Sequence, residues 1–374
     1  MKIFLLLFAI CSNPIARRNF NFVDAFAVSN YRSAAPYLGA QRKGANLVHS
    51  NKSQVLILDH LNINHEKGRH DLLKAFYFDF LQCAVDPRKE ENLVKAKKTL
   101  WANIGAQQFH LPEGNPSAQV FQGIVTLAYP STREIVENYE KNLDLQRILK
   151  ASKFSFRVQE NDEVHVTDPW GSQFRLIQDS AKYYADTRGK QPGEASKGIA
   201  ITDLTVFTSQ DITNFAGIAR FYEKILGALC LSCDETSCVI SVGPKQTLSF
   251  RHVPTKDDDV QTKPIQHDEL EQTEEGISNY GAHISMYITD LRDAYQRAND
   301  IGVTYVNPRF KRRAYTIEEA VDDCMFRILD IVDPENLQDG PILKLEHEVR
   351  SVVKPDGSKY KSCPFDEIPS ECRT

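Results

Sequence analysis

Cysteine is scarce in this chain, eight residues in 374, so a disulfide scaffold does not hold the fold together. A basic excess is also missing: 45 lysines and arginines face 50 aspartates and glutamates, for a net charge of -5. A protein made chiefly to bind nucleic acid needs a dominant basic surface, so that class is set aside. No run reaches the ~18 continuous apolar residues of a membrane helix, so the mature chain is expected to lie outside the membrane. Gly-rich phosphate loops and a Gly-x-Ser-x-Gly nucleophile elbow are absent as well. What is present is an ordinary globular balance, 41% hydrophobic and 25% charged residues, over a length that suits two domains.

The first 53 residues read as targeting sequence. Met1-Lys2 leads into the apolar run Ile3–Cys11, which turns polar at Ser12-Asn13-Pro14. That is the shape of a signal peptide, assigned to 1–25. From Ser12 to Leu58 the only acid is Asp24, beside Arg17, Arg18, Arg32, Arg42, Lys43 and Lys52. An acid-poor, basic, serine-containing stretch reads as a transit-like leader, 26–53. Val23-Asp24-Ala25-Phe26-Ala27-Val28 resembles the cleavage motif of bipartite plastid presequences, so plastid delivery is the expectation, with secretion or an endomembrane lumen as the alternative.

The remainder repeats one unit four times. Val55–Asn64 has strand alternation, and Leu72, Leu73, Phe76, Phe80 and Leu81 follow at helical spacing. Ile199–Phe207 and a helix over 214–226 containing Phe221-Tyr222 repeat that grammar. Gly123–Tyr129 before a helix over 131–145, and Ala282–Ile288 before a helix over 290–301, supply two more starts. Asp168-Pro169-Trp170-Gly171 and Asp333-Pro334 each turn into a closing strand, which makes their recurrence a repeat signal.

Together these elements resemble the vicinal oxygen chelate superfamily, the glyoxalase and extradiol dioxygenase fold, over residues 55 to 348. The resemblance implies an α+β chain of four βαβββ modules, paired into two domains with cupped mixed sheets. The expected boundaries are 54–178 for the N-terminal domain, 179–197 for a linker, 198–350 for the C-terminal domain and 351–374 for an irregular tail.

The same resemblance implies a divalent metal, Zn, Fe, Ni, Mn or Co, that polarises adjacent oxygens of a small substrate. Ligands are expected from first strands, usually His, and closing strands, usually Glu. In the C-terminal pair the expected triad is His283, Glu346 and Asp203, with Lys344 near the substrate. In the N-terminal pair His60 and His110 are candidates, but Ile124 and the cationic Arg175 occupy the two other positions. Arg175 repels a metal and would instead bind substrate. The functional expectation is a metal-dependent lyase, isomerase or dioxygenase acting on a small oxygenated molecule. Its rival is a metal-free protein that sequesters a small ligand in the same cup.

Cys230 and Cys233, with Cys238 nearby, are expected to be small buried thiols or one disulfide, and Cys363 and Cys372 are a possible pair in an oxidising compartment. The basic run Arg309, Lys311, Arg312 and Arg313 reads as a solvated loop, with binding of an anionic group as the alternative.

Overall fold

A computed structural model describes residues 54–95, 99–114, 118–181, 183, 195–254, 263–265, 272–273, 276–277 and 282–372. The expected targeting segments, 1–25 and 26–53, lie outside these residues, as does most of the expected linker. Among the described residues no helix is long and apolar enough to cross a membrane.

Four βαβββ modules are present, as the resemblance implies. The first has strands β1 (Val55–Asn62), β2 (Ala84–Val85), β3 (Leu100–Ile104) and β4 (Gln107–Leu111). The second has β5 (Gly123–Tyr129), β6 (Ser155–Val158), β7 (Val164–Thr167) and β8 (Gln173–Gln178). The third has β9 (Ala200–Thr208), β10 (Cys230–Cys233), β11 (Ser237–Gly243) and β12 (Gln246–His252). A short hairpin, β13 (Gln272–Thr273) and β14 (Gly276–Ile277), precedes the fourth. That module has β15 (His283–Ile288), β16 (Thr304–Tyr305), β17 (Met325–Val332) and β18 (Pro341–Ser351).

The modules do not share sheets in sequence order. One eight-stranded sheet runs β16-β17-β18-β15-β1-β4-β3-β2, so the first module joins the fourth. The other runs β10-β11-β12-β9-β5-β8-β7-β6, joining the second to the third. This corrects the expected pairing of the first two modules with each other within 54–178 and of the last two within 198–350. Each module offers the free edge of its first strand, and any two such edges can pair antiparallel. Here β5 pairs with β9, which leaves β1 to pair with β15. The β5–β9 approach depends on Gly123, because a Cβ there would stand 1.8 Å from the Thr205 carbonyl oxygen.

The Phe-Tyr helices lie between the two sheets. The first begins at His70 and runs through a π-helical stretch, Lys74–Phe80. The third module's helix, Phe215–Phe221, passes into a π-helical stretch of its own, Tyr222–Leu226. Tyr77 packs against Phe109 of the first sheet and Phe174 of the second, while Tyr222 meets Phe250 and His347 in the same way. Burying these aromatic rings supplies much of the apolar driving force, about 1.5–3 kcal/mol per side chain. The helix expected over 131–145 is two, Thr132–Lys141 and Leu143–Lys150. Asn142 breaks it by leaving helical geometry, and its side chain caps Leu145 N–H.

With helices on the inner faces, the outer faces form two cups. Among the described residues the tail beyond Ser351 forms no helix or strand, only an isolated bridge between Val353 and Lys359, yet it packs. Tyr360, Cys363 and Phe365 are buried against Ile57 and Tyr287 on the first sheet and Cys324 just before β17.

Candidate metal centre

The first sheet brings together residues that are far apart in sequence. Each first strand carries a histidine facing the cup, His60 on β1 and His283 on β15, with ring centroids 5.7 Å apart. On β18, Glu348 lies two residues beyond Glu346, the register partner of His283, and so on the same face. One ligand atom from each of His60, His283 and Glu348 falls within 4.8 Å of the others. All three are buried, with 0%, 4% and 4% exposure.

Two features fit a cation. A bulge between Leu58 and His60 sets Asp59 beside the histidine, and Asp59 Oδ2 lies 2.9 Å from His60 Nδ1. A carboxylate accepts, so Nδ1 carries the proton and Nε2 presents its lone pair. That Nε2 is buried without a hydrogen-bond partner. A carboxylate behind an imidazole whose other nitrogen is bare is the second-shell arrangement of a metal-bound histidine. Burial also lowers the pKa of His60, against the pull of Asp59, and pushes His283 down to about 3 with help from Arg327. Both imidazoles are therefore neutral near pH 7, as ligation requires.

Glu348 is ionised. Burial pushes its pKa up, but Arg350 and then Arg327 outweigh burial and hold it well below the usual carboxylate range. Arg327 donates to Glu348 Oε2, Arg350 to Oε1, and Arg327 also to Glu346 Oε1 at 2.6 Å. Asp59, Glu346 and Glu348 formally face two guanidiniums, leaving one negative charge in excess.

The residues expected from sequence are divided by the fold. His283 belongs to the cluster. Glu346 is its register neighbour but is committed to Arg327 and to Asn307, whose amide donates to Oε2 at 2.8 Å. Asp203 lies in the other sheet, so the triad of Asp203, His283 and Glu346 does not form. His60 and His110 do meet, stacked at 3.7 Å, and Trp101 stacks on the far side of His110 at 4.5 Å. His110 Nε2 sits 3.2 Å from Gln108 Oε1, and that amide donates to Asp86 and Asn103 at 2.6 Å. Face-to-face stacking makes His110 a support for the His60 ring. Lys344 is exposed and opposite Asp330 in β17, away from the cluster.

A loop after β16 roofs the cup. Phe310 sits edge-on to His283 at 5.5 Å, and Arg327 lies 4.0 Å from its ring. Lys311, Arg312 and Arg313 are exposed; Arg312 donates to Tyr360 of the tail, and Arg313 to the loop's own carbonyls of Pro308 and Phe310. No disulfide joins Cys230, Cys233 or Cys238; Cys238 is buried and Cys233 exposed.

No family model and no curated protein matches this chain. Solved structures with a similar course of chain include a proposed dioxygenase from Bacillus subtilis (13% identity, 84% of this chain and 92% of that one, TM-score 0.45). Glyoxalase I from Zea mays aligns at 12% identity over 80% and 92%, TM-score 0.44. A Mn(II)-bound glyoxalase from Novosphingobium aromaticivorans aligns at 11% over 85% and 86%, TM-score 0.28. At these scores the likeness carries no further argument, and the architecture rests on the strand order itself, four βαβββ modules in two mixed sheets.

Proposed function

We propose that the chain is a divalent-metal-dependent enzyme acting on a small oxygenated molecule, with the metal held by His60, His283 and Glu348. The observation that carries this reading is the buried, partnerless Nε2 of His60, oriented by Asp59 from behind. Two imidazoles and a carboxylate suit Zn, Fe, Ni, Mn or Co, and a metal so held would act as a Lewis acid on a carbonyl or vicinal diol. The chain's own residues set the conditions. Asp59 fixes the His60 tautomer, His110 and Trp101 fix its ring plane, and Arg350 and Arg327 keep Glu348 ionised. Phe310 and the tail exclude water, which strengthens every charge interaction inside. The buried guanidiniums of Arg327 and Arg350 stand ready to hold an anionic substrate oxygen.

One observation favours a metal-free ligand-binding protein instead: both Glu348 oxygens are already engaged by guanidiniums. Metal content decides between the two. The purified parent should hold close to one divalent ion per chain, and His60→Ala and His283→Ala should each lose it while keeping the parent's far-ultraviolet dichroism. Lack of metal in the parent, even after reconstitution, would leave the ligand-binding reading.

A further inference from the structure

The second sheet has the same construction as the first and different chemistry at the matching positions. In the first sheet the cup residues are a first-strand histidine and the closing-strand residue two beyond its register partner. His60 pairs with Gln108 and points to His110; His283 pairs with Glu346 and points to Glu348. The same rule in the second sheet takes Ile124 through Gln173 to Arg175, and Asp203 through Thr247 to Ser249. Even the bulge recurs, since Thr202 interrupts the β5–β9 register just before Asp203, as Asp59 does before His60. The equivalent set is therefore Ile124, Arg175, Asp203 and Ser249, with one carboxylate, no imidazole, and a guanidinium where a ligand would stand. Such a set repels a metal ion and attracts an anion.

Asp203 is fixed by three hydroxyls. Its Oδ1 accepts from Thr247 at 2.5 Å and Ser249 at 2.7 Å, and its Oδ2 from Thr205 at 2.6 Å. A carboxylate has about four acceptor directions, so one on Oδ2 is left over. Two residues beyond Ser249 on the same face, Arg251 lies over the ring of Phe207 at 5.1 Å. Among the described residues its guanidinium has no other contact, so its donors are unused. Arg251 is exposed at the surface but partly desolvated, which lowers its pKa; Asp203 opposes this and Arg175 adds to it, so the three charges share one field. Arg175 is held only loosely, 3.7 Å from Glu163, a carboxylate already taken by His165 at 2.6 Å. Ile124, Gln173, Asp203, Thr247 and Ser249 are all partly exposed, so this cup's floor faces solvent.

We propose that the cup of the second sheet binds a small organic carboxylate carrying a neighbouring hydroxyl, with the carboxylate on Arg251 and Arg175 and the hydroxyl donating to Asp203 Oδ2. A planar carboxylate matches the guanidinium fork, and the Phe207 ring restricts where Arg251 can present it. Asp203 supplies the selectivity. It repels a bare anion brought next to it and rewards one that brings its own donor. Arg251 carries no signal in the strand pattern and is found only from the register.

Titration calorimetry on the full chain tests this, with L-malate, succinate (the same diacid without the hydroxyl) and inorganic phosphate as probes. Malate should bind at least tenfold more tightly than succinate and more tightly than phosphate. Arg251→Gln and Arg175→Gln should each weaken malate tenfold or more without moving the melting temperature, and Asp203→Asn should bring malate and succinate close to equal. His283→Ala should leave malate binding unchanged, which separates this cup from the metal centre. Absence of malate binding, equal binding of succinate, preference for phosphate, or indifference to Arg251→Gln would each overturn the proposal, and so would loss of malate binding in His283→Ala.

Discussion

Asp59 and His60 are adjacent in sequence, yet both face the same cup, because the bulge between Leu58 and His60 suspends the alternation of the strand. The 2.9 Å contact between Asp59 Oδ2 and His60 Nδ1 therefore fixes which imidazole nitrogen is bare. Asp59→Asn keeps the shape and removes the charge. Partners of this kind are worth about 10–100-fold in metal affinity, so chelator competition should show a loss of that size in a folded protein. Unchanged affinity would mean that Asp59 does not orient a ligand.

Arg327 is the shared partner of Glu346 and Glu348, and all three side chains are buried. Arg327→Met leaves two carboxylates with half their compensation, a change that costs about 3–5 kcal/mol when one partner of a buried ion pair is lost. Because the excess charge is then more negative, added Zn should restore part of the loss. Denaturant melts with and without the metal read this directly. A variant that Zn does not rescue would show that the cation site and the arginine network are independent.

Buried histidines give the pH dependence its sign. Burial drives His65 and His347 down to about 4 and His283 to about 3, from a usual 6.5. Between pH 6.5 and those values the unfolded chain holds protons that the folded one lacks, so stability falls as pH falls. Each group contributes up to about 1.4 kcal/mol per pH unit. Asp168 acts oppositely: burial raises it to about 6, so between pH 6 and its usual 3.8 the folded chain holds the extra proton. One such group offsets one histidine. With chelator present to remove metal linkage, denaturation at pH 7 and pH 5 should show lower stability at pH 5. Equal or greater stability at pH 5 would contradict this count.

How far the sequence spoke depends on whether each feature is local. Phe76-Tyr77 and Phe221-Tyr222 stand in matching helices because apolar spacing is a local pattern, although their π-helical stretches left no mark in it. Which first strands share an edge is not local, and the 1–4 and 2–3 pairing was invisible for that reason. Glu348 was missed through length. Matching the two closing strands residue for residue stops short of it, because β8 has six residues and β18 eleven. The alternating charges Glu346, Glu348 and Arg350 were the available signal, since a long strand with charge on one face must meet partners there. Arg327, in the strand opposite, was the partner.

The tail packs on the edge of the cup. Tyr360 and Phe365 are buried at its edge, Arg312 ties Tyr360 to the roof loop, and Arg88 donates to Ser362 at 3.1 Å. A chain ending at Lys354 loses these contacts, at about 2 kcal/mol for each buried aromatic. It also uncovers Tyr287 and Cys324, which pack beneath them. Chelator should then strip bound metal at least tenfold faster than from the full chain, and Cys324 should react faster with a thiol reagent. Arg312→Ala cuts the tie and keeps the tail, so its effect should be smaller and in the same direction. If truncation quickens Cys324 labelling but leaves metal loss unchanged, the tail covers only the cup's edge, and Phe310 alone controls entry.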